Sequence, residues 1–451
     1  MFKGQVSLVK EIQRRLALGL ALFLRAILQL LGRQATSFPG KVALLIYPDF
    51  LRDLAYGRRL TVVTGTNGKS TISYLLAEIL RDSGYIVLHN SSGANMEDGL
   101  VSAAIAEHEK LKGHADLVFE IDEAWFAKLA AKLNADFIVI SNLFLDQVDR
   151  NGDIFAVRKK LLKAIKDSPE AVLILNADDP HVASMAQESE NAVKYFGIDS
   201  ELMYPAEQNP QSACPICTQQ LTYEVSSYDK LGVYQCQHCD LSYPQPDLIL
   251  SKQDEKHLLI YREQETSSQE TALNLLNPPC YQLYNFAAAC LTALCLDAQA
   301  SNCVEVLEKF RSISGRNEAV KWSKNREYCL TLVKNAVGFS LSLEKLNSQN
   351  YRHVLLAVNN KENDGRDTSW LAEIDFSPLK NNPKEGLIVL SGSCAKELSE
   401  QVKKWLPREK ELILEPNIAT ALALLDAKIP AGEKLYILPN YTAMLELKAI
   451  L

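Results

Sequence analysis

The chain is 451 residues long, enough for two or three domains that each bury a core of their own. With 47% hydrophobic and 23% charged residues it has an ordinary globular composition, and a net charge of -7 excludes the basic surface that a nucleic-acid binder needs. Six of its ten cysteines (Cys280, Cys290, Cys295, Cys303, Cys329 and Cys394) are scattered through apolar segments without pairing rhythm, the usage of a reducing cytoplasm where thiols stay free.

The first expected element is a Leu-rich helix. "LALGLALFLRAILQLL" (residues 16–31) is interrupted by Arg25, lacks a small-residue cleavage site after it and is short for a span, so it reads neither as a signal peptide nor as a membrane crossing. A helix packed on its own domain is the first reading. The alternative is a helix lying in a membrane interface, with Arg14, Arg15, Arg25 and Arg33 turned to anionic headgroups. Pro39 and Gly40 break this segment, so residues 1–40 are set apart as an N-terminal helical segment.

From residue 60 onward apolar runs alternate with helical patterns, which predicts βαβ units and a mostly parallel sheet. Each run ends in polar residues: "LTVV" in "TGTNGKST", "DLVF" in "EIDEA", "FIVI" in "SNLFLDQVD", "AVLIL" in "NADDP". Ligands of open α/β sheets gather outside the carboxyl ends of the strands, so these four clusters are expected to form one site. The first cluster, Thr64, Gly65, Thr66, Asn67, Gly68, Lys69, Ser70 and Thr71, reads as a phosphate loop. Its glycines let backbone N–H groups approach phosphate oxygens, Lys69 reaches the terminal phosphates, and Ser70 or Thr71 offers a hydroxyl to Mg2+ at a helix start. Val63 stands where the common pattern has another Gly. The second cluster supplies Glu120, Asp122 and Glu123 as candidate Mg2+ ligands, Glu120 foremost because it follows the strand directly. Each of these could instead cap the next helix, and the same two readings hold for Asp146 and Asp149.

Within this unit, at about 205–245, sits "CPICTQQLTYEVSSYDKLGVYQCQHC". Two Cys-x-x-Cys knuckles at this separation predict a zinc ribbon with Cys214, Cys217, Cys236 and Cys239 as ligands of one structural Zn2+. The stretch contains a single Lys and no Arg, which argues against a nucleic-acid finger. Further on, strands again end in polar clusters: "HVLLAV" in "NNKENDGRD", "LIVL" in "SGS" and "LYIL" in "PNYTAM". Asp364 and Asp367 bracket a turn where a carboxylate can orient a partner's imidazole or a substrate, or simply cap the turn, and Trp370 beside them offers a rigid anchor for a partner.

With "TGTNGKST", "NADDP", "YNFAAA" (284–289) and "SGRNE" (314–318) in this order, the chain resembles the Mur ligase superfamily over roughly residues 40–450. Members of that superfamily use ATP to convert a carboxylate into an acyl phosphate, from which an amine displaces phosphate to form an amide. The resemblance implies an α/β fold: a Mur ligase-like P-loop central domain (41–312) carrying the ribbon, and a Rossmann-like α/β domain (313–451). It also implies ATP and Mg2+ at Lys69 and Ser70, a metal-binding role for Glu120, an Asn bordering the nucleotide at Asn285, and Arg316 at the entrance to the last domain. Only residues 1–63 precede the loop, where peptidoglycan precursor ligases carry a domain that holds a uridine nucleotide, so a soluble UDP-linked substrate is not expected. Asp146-Gln147 stands where many members have Asp-His, and "VKNAVG" (333–338) where many have Asp-x-x-His-Asn.

These departures, the ribbon and "NDGRDTSWL" (363–371) together resemble the branch of the superfamily that amidates lipid II. That resemblance implies ammonia as the amine, delivered by a separate GatD-like class I glutamine amidotransferase in a heterodimer, and D-isoglutamine formed from the D-glutamate α-carboxylate of the stem peptide. It assigns catalysis to Lys69 and to Asp364 or Asp367, and places the enzyme in the cytoplasm or at the inner face of the cell membrane. The free cysteines agree, since none has the polar elbow and nearby His that a glutaminase thiolate needs. Two rivals stand: a folylpolyglutamate synthase-like ligase, against which the ribbon and the DGRDTSW turn count, and a non-enzymatic ATP-gated module built around the ribbon.

Overall fold

The structure is a computed structural model and describes residues 8–450 apart from 33–34, 110–112, 147–151, 206–211, 254–255, 265–266, 276–277, 312–315, 323–325, 384 and 431. Gln147 and Asp149 therefore lie outside the described residues, as does Arg33. The chain forms two compact units, Met1–Leu143 with Ile154–Phe310, and Phe144–Asp153 with Arg311–Leu451.

In the first unit the strands are β1 (Leu60–Thr64), β2 (Val87–His89), β3 (Asp116–Glu120), β4 (Phe137–Ile140), β5 (Val172–Asn176) and β6 (Val193–Ile198). The short β7 (Tyr204–Pro205), β8 (Leu221–Ser226) and β9 (Gly232–Cys236) follow, then β10 (Leu248–Gln253), β11 (Lys256–Gln264) and β12 (Ser267–Leu273). Nine of these make one sheet in the order β12-β11-β10-β6-β5-β4-β1-β3-β2. Pairing is parallel from β2 across to β10, and β11 and β12 add an antiparallel edge. The unbroken apolar runs expected of strands covered on both faces are found here, every residue of β1 and β3 being buried. Helices cover the sheet. Among them α1 (Leu8–Leu30), α2 (Phe38–Ile46), α3 (Phe50–Ala55), α4 (Lys69–Asp82), α5 (Glu97–Ala106), α6 (Glu123–Leu133), α7 (Ile154–Lys166), the one-turn α8 (Pro180–Ala183), α9 (Cys280–Cys295) and α10 (Ala300–Lys309) are described. Helix α4 buries Ile72, Leu75, Leu76, Ile79 and Leu80, an i, i+3, i+4, i+7 stripe that holds its first turn against the sheet.

Helix α1 packs on its own domain, as expected, through Ala17 and Ala21, which are fully buried. Its opposite face is apolar too. Val9, Ile12, Leu16, Leu20, Phe23, Ile27 and Leu30 recur at helical spacing on the open side, with Leu16 61%, Phe23 62% and Leu30 87% exposed. Among the described residues no helix is long and apolar enough to cross a membrane.

Strands β7, β8 and β9 form the separate antiparallel sheet of the ribbon. Their core of Leu221, Tyr223, Tyr234, Cys236 and Leu241 rests on Ala183 of α8, so the insertion is packed against its host.

The second unit carries β13 (Arg316–Trp322), β14 (Arg326–Thr331), β15 (His353–Ala357), β16 (Ile388–Ser391), β17 (Leu412–Leu414) and β18 (Leu435–Pro439), in the order β13-β14-β18-β15-β16-β17. Only the β13–β14 pair is antiparallel. Alternate residues of β15 serve two cores. Val354 and Leu356 pack with Phe339, Phe376 and Leu398, whereas Leu355 and Ala357 pack with Leu422, Leu425 and Leu447 on the other face. The covering helices are α11 (Ala336–Ser348), α12 (Ala395–Val402), α13 (Ile418–Lys428) and α14 (Tyr441–Ile450).

Candidate active site

The phosphate loop begins where β1 ends. Gly65 and Gly68 take φ of 114° and 90°, a region that side chains with a Cβ avoid. Space forbids a Cβ as well: one on Gly65 would lie 2.4 Å from Ser141 Oγ, and one on Gly68 2.2 Å from Asn285 Oδ1. The loop is laced to the end of β4. Thr66 N–H donates to Asn142 O (2.8 Å) and Asn67 N–H to Asn142 Oδ1 (2.9 Å), while Asn142 Nδ2 (3.1 Å) and Ser141 Oγ (2.7 Å) donate to Asn67 O. Asn176 at the end of β5 in turn donates to Ser141 O at 2.9 Å. With both glycine positions closed to side chains and its carbonyls engaged behind, the loop is a preformed cradle of the kind that takes phosphate oxygens.

Lys69 opens α4 and folds back over the loop, donating to Gly65 O, to Thr66 O at 3.1 Å and to Glu123 Oε1 at 3.4 Å. Ser70 follows it, half-buried, on the same first turn, and Thr71 is buried. Thr64 Oγ1 is buried without a protein partner. The structure thus brings Thr64, Gly65, Thr66, Asn67, Gly68, Lys69, Ser70, Thr71 and Asn285 together. These donors and the hydroxyl at the helix start fit a nucleotide with Mg2+.

The three carboxylates of the second cluster separate into different jobs. Asp122 caps α6, accepting from Ala124 N (3.0 Å) and Trp125 N (3.3 Å), the capping role that sequence left open. Glu123, on the first turn of α6, is the carboxylate that meets Lys69. Burial pushes its pKa up and Lys69 pulls it back. Glu120 is buried at the end of β3, its backbone clasped by Asn90 (2.9 Å for both Glu120 N–H to Asn90 Oδ1 and Asn90 Nδ2 to Glu120 O) and its Oε1 3.4 Å from Asn95 Nδ2. The fourth cluster is structural in its carboxylates. Asp179 caps α8 and accepts from Leu143 N at 2.7 Å, and Asp178 is enclosed by tyrosines. Ser141, Asn142 and Asn176 carry the bracing that sequence reasoning missed, although each stands at or directly after the end of a strand.

The third cluster divides. Ser141 and Asn142 belong to the first unit, whereas Asp146 belongs to the second, where it lines a pocket with Lys334, Asn335, Asp364, Asp367 and Trp370. Arg316 starts β13, also in the second unit. In that unit the clusters after β15, β16 and β18 converge: Asn359 N–H donates to Asn440 Oδ1 (3.0 Å), Asn359 Nδ2 to Thr442 Oγ1 (3.1 Å), and Ser393 N–H to Asn359 Oδ1 (2.8 Å). Asp364 accepts from Thr442 N (2.9 Å) and from the Thr442 hydroxyl at the start of α14. Among the described residues Asp367 accepts within its own turn, from Ser369 N (2.9 Å) and Oγ (2.8 Å), and these bonds hold its pKa below the usual carboxylate range. Trp370, read as a rigid anchor for a partner, is half-buried with its ring 6.3 Å from that of Phe339, so one face is already used by the core.

In the ribbon, Cys214 Sγ lies 3.6 Å from Cys239 Sγ and Cys217 Sγ 3.5 Å from Cys236 Sγ, and all four sulfurs lie within 4.8 Å of one another. Bonded sulfurs would be at about 2.05 Å. A tetrahedral ion with Zn–S near 2.3 Å separates its sulfurs by about 3.8 Å, so the cluster fits zinc thiolates.

Comparison with known proteins follows the same division. The Mur ligase middle domain model matches residues 63–230 and the MurT ligase C-terminal model residues 332–444. Solved structures agree on the fold: a pseudomurein peptide ligase type C from Methanothermus fervidus superposes with a TM-score of 0.68 at 20% identity, covering 90% of this chain and 80% of that one. Crystal structure II of MurF from Acinetobacter baumannii gives 0.64 at 15% identity, covering 91% and 79%. The domain models and the fold together define a protein of the Mur ligase type. Among curated proteins, the lipid II isoglutaminyl synthase (glutamine-hydrolyzing) subunit MurT of Streptococcus pneumoniae is 32% identical over 434 residues, 94% of each chain. The subunit of the same name from Staphylococcus aureus strain COL is 30% identical over 95% of each. The chain belongs to the MurT family.

Proposed function

We propose that this chain is the ligase subunit that amidates the α-carboxylate of D-glutamate in the lipid II stem peptide, giving D-isoglutamine, with ammonia supplied by a glutaminase subunit. The observation that carries the reading is the whole-length likeness to subunits named for that reaction, joined to an intact phosphate cradle. ATP with Mg2+ supplies the phosphoryl group that activates the carboxylate as an acyl phosphate. Of the chain's own residues, Lys69 neutralises charge on the transferred group, Ser70 and Glu120 would hold the metal, and the backbone at Gly68 and the start of α4 presents N–H groups to the phosphates. Asn285 closes the site over Gly68.

The thiols support an external nitrogen source. Burial raises the pKa of Cys290 and Cys329 and pushes those of Cys295 and Cys394 up to about 11, so these side chains are poor thiolate nucleophiles. The partner's active-site histidine is then met at the Asp364 turn. Asp364, partly buried and fixed by Thr442, is the better-held acceptor; a carboxylate has about four lone-pair sites, so two bonds to Thr442 leave capacity for an imidazole N–H. Asp367, Asp146 and Asn335 complete the pocket wall.

Two finer parts belong to the same reading. Cys214, Cys217, Cys236 and Cys239 hold one structural Zn2+; the purified protein should carry about one equivalent, and less than half an equivalent, unchanged in Cys236→Ser, contradicts it. Helix α1 lies at the inner face of the membrane. Its open stripe is apolar, and Lys10, Arg14, Arg15 and Arg25 outnumber its one acid, Glu11, in a chain that is net acidic. Co-sedimentation with anionic but not neutral vesicles, lost in Leu16→Glu/Phe23→Glu, is the expected result, and equal recovery with no vesicles removes this part alone.

The deciding experiment co-expresses the chain with class I glutaminases and follows lipid II by mass. ATP- and glutamine-dependent conversion of a carboxyl to a carboxamide is expected. Glutamate addition to a soluble pterin, or ATP turnover without any amide product, would replace the reading.

A further inference from the structure

The ribbon is inserted far from the loop in sequence, yet its sheet does not end at the cysteines. Tyr243, which follows the second knuckle, donates its hydroxyl to Asp178 Oδ1 at 2.9 Å, and its ring stands edge-on to Tyr234 of β9 with centroids 6.0 Å apart. The start of β9, beside Tyr243, reaches the same residue, since Gly232 N–H donates to Asp178 O at 2.9 Å. Asp178 is fully enclosed and has one more strong donor, the Tyr284 hydroxyl on Oδ2 at 2.7 Å, with Ile198 N–H at 3.3 Å. Tyr284 is also met by the ribbon directly: its hydroxyl lies 2.9 Å from Ser227 Oγ, and its ring stands edge-on to Tyr228 with centroids 5.8 Å apart. The next residue on α9 is Asn285, whose Oδ1 sits where a Gly68 Cβ would be.

We propose that Asp178, Tyr243 and Tyr284 form a positioning node through which the ribbon sets the angle of the first turns of α9 and thereby holds Asn285 against the phosphate loop. The ribbon is then a strut for the nucleotide site, an answer to why an insertion remote from the chemistry has its metal cluster at one end and buried tyrosine contacts at the other. The inference rests on the nucleotide reading of the loop. Because a buried carboxyl group bonded through both of its oxygens to tyrosine hydroxyls is rigid, a small rotation of the ribbon is passed to Tyr284 without being absorbed. Coupling of this kind is reciprocal, so nucleotide binding must stiffen the ribbon by the same factor that the intact ribbon tightens nucleotide.

Hydrogen exchange of the full chain, with and without a non-hydrolysable ATP analogue and Mg2+, tests it. In the wild type the analogue should slow exchange in residues 64–72 and, about 3- to 10-fold, in the ribbon segment 228–236. In Tyr243→Phe, which loses one hydroxyl and little shape, loop protection should persist at saturation, ribbon protection should vanish, the Kd for the analogue should rise about 3- to 10-fold, and bound zinc should be unchanged. Asp178→Asn should act in the same direction and more strongly. If the loop is protected in the wild type while the ribbon is not, or if Tyr243→Phe keeps both the wild-type Kd and the ribbon protection, the strut is wrong. Absence of loop protection at any analogue concentration instead overturns the nucleotide reading and takes the strut with it.

Discussion

The phosphate loop and the Asp364 turn are both polar segments that leave the end of a parallel strand, and they are held in different ways. The loop is laced to Ser141 and Asn142, some 75 residues away, and is overlain by Asn285 from a third segment. In the turn, Asp364 is held by Thr442 and Asp367 by bonds to Ser369 beside it. A loop specified by the surrounding core has its shape as its function, so backbone changes should damage it most. A turn with two carboxylates beside a pocket offers charge and direction, so isosteric loss of charge should damage it most.

The largest effect expected is at Lys69. Lys69→Ala should lower ATP-dependent amidation by about 10³-fold or more with an unchanged unfolding midpoint, since its contribution grows as charge develops on the transferred phosphoryl group. Near wild-type turnover would show that the cradle serves no nucleotide.

Next comes Asp364→Asn, expected to reduce glutamine-dependent amidation by about 10²-fold or more while ammonium-dependent amidation survives, by analogy with removing the charge that orients a catalytic imidazole. Asp367→Asn should cost less, because its bonds stay within its own turn. Equal loss with both nitrogen donors would move the carboxylate to the ligase step, and a larger loss at Asp367 would reverse the order of the two residues.

Gly68→Ala sharpens the contrast from the other side. A Cβ there meets both a φ of 90° and Asn285 Oδ1 at 2.2 Å, so nucleotide affinity should fall about tenfold and stability by about 1–2 kcal/mol. Asn285→Ala should relieve the clash but not the strain, which a double-mutant cycle reads as a cost for the pair smaller than the sum. Additivity would mean the two residues do not touch in solution.

A pH dependence is expected at the node. Burial pushes the pKa of Asp178 up to about 7, above its unfolded value near 3.8, so the folded state binds the extra proton between those values. The stability this contributes is complete at about pH 4 and is lost as pH rises toward 7. Asp178→Asn should therefore cost more at pH 4.5 than at pH 7, by up to about 1.4 kcal/mol per pH unit in urea unfolding. A cost that stays the same from pH 4.5 to pH 7 would show that Asp178 is ionised throughout, held by its tyrosine donors.

Much of the fold was legible because its signals are local. "FIVI" and "VLIL" are short, wholly apolar runs that suit strands covered on both faces, and the cysteine spacing suits two knuckles that bring four thiols together. Helix α1 shows where local reading stops. Its composition admitted a packed helix or an interfacial one, and the structure finds one packed face and one open apolar face on the same helix.

The sequence by itself determined the strand runs, the polar residues at their carboxyl ends, the glycines of the loop and the four ribbon thiols, because each depends on spacing within one element. Only the tertiary structure decided that Glu123 and not Asp122 meets Lys69, that Asn142 and Asn285 shape the loop, that Asp146 parts from Asn142, and that Asp178 gathers ribbon and helix around one carboxylate. Those outcomes depend on which strands lie side by side and how far a helix is rotated against them. Such choices are made by packing between segments from some 50 to more than 200 residues apart, and no local pattern in either partner records them.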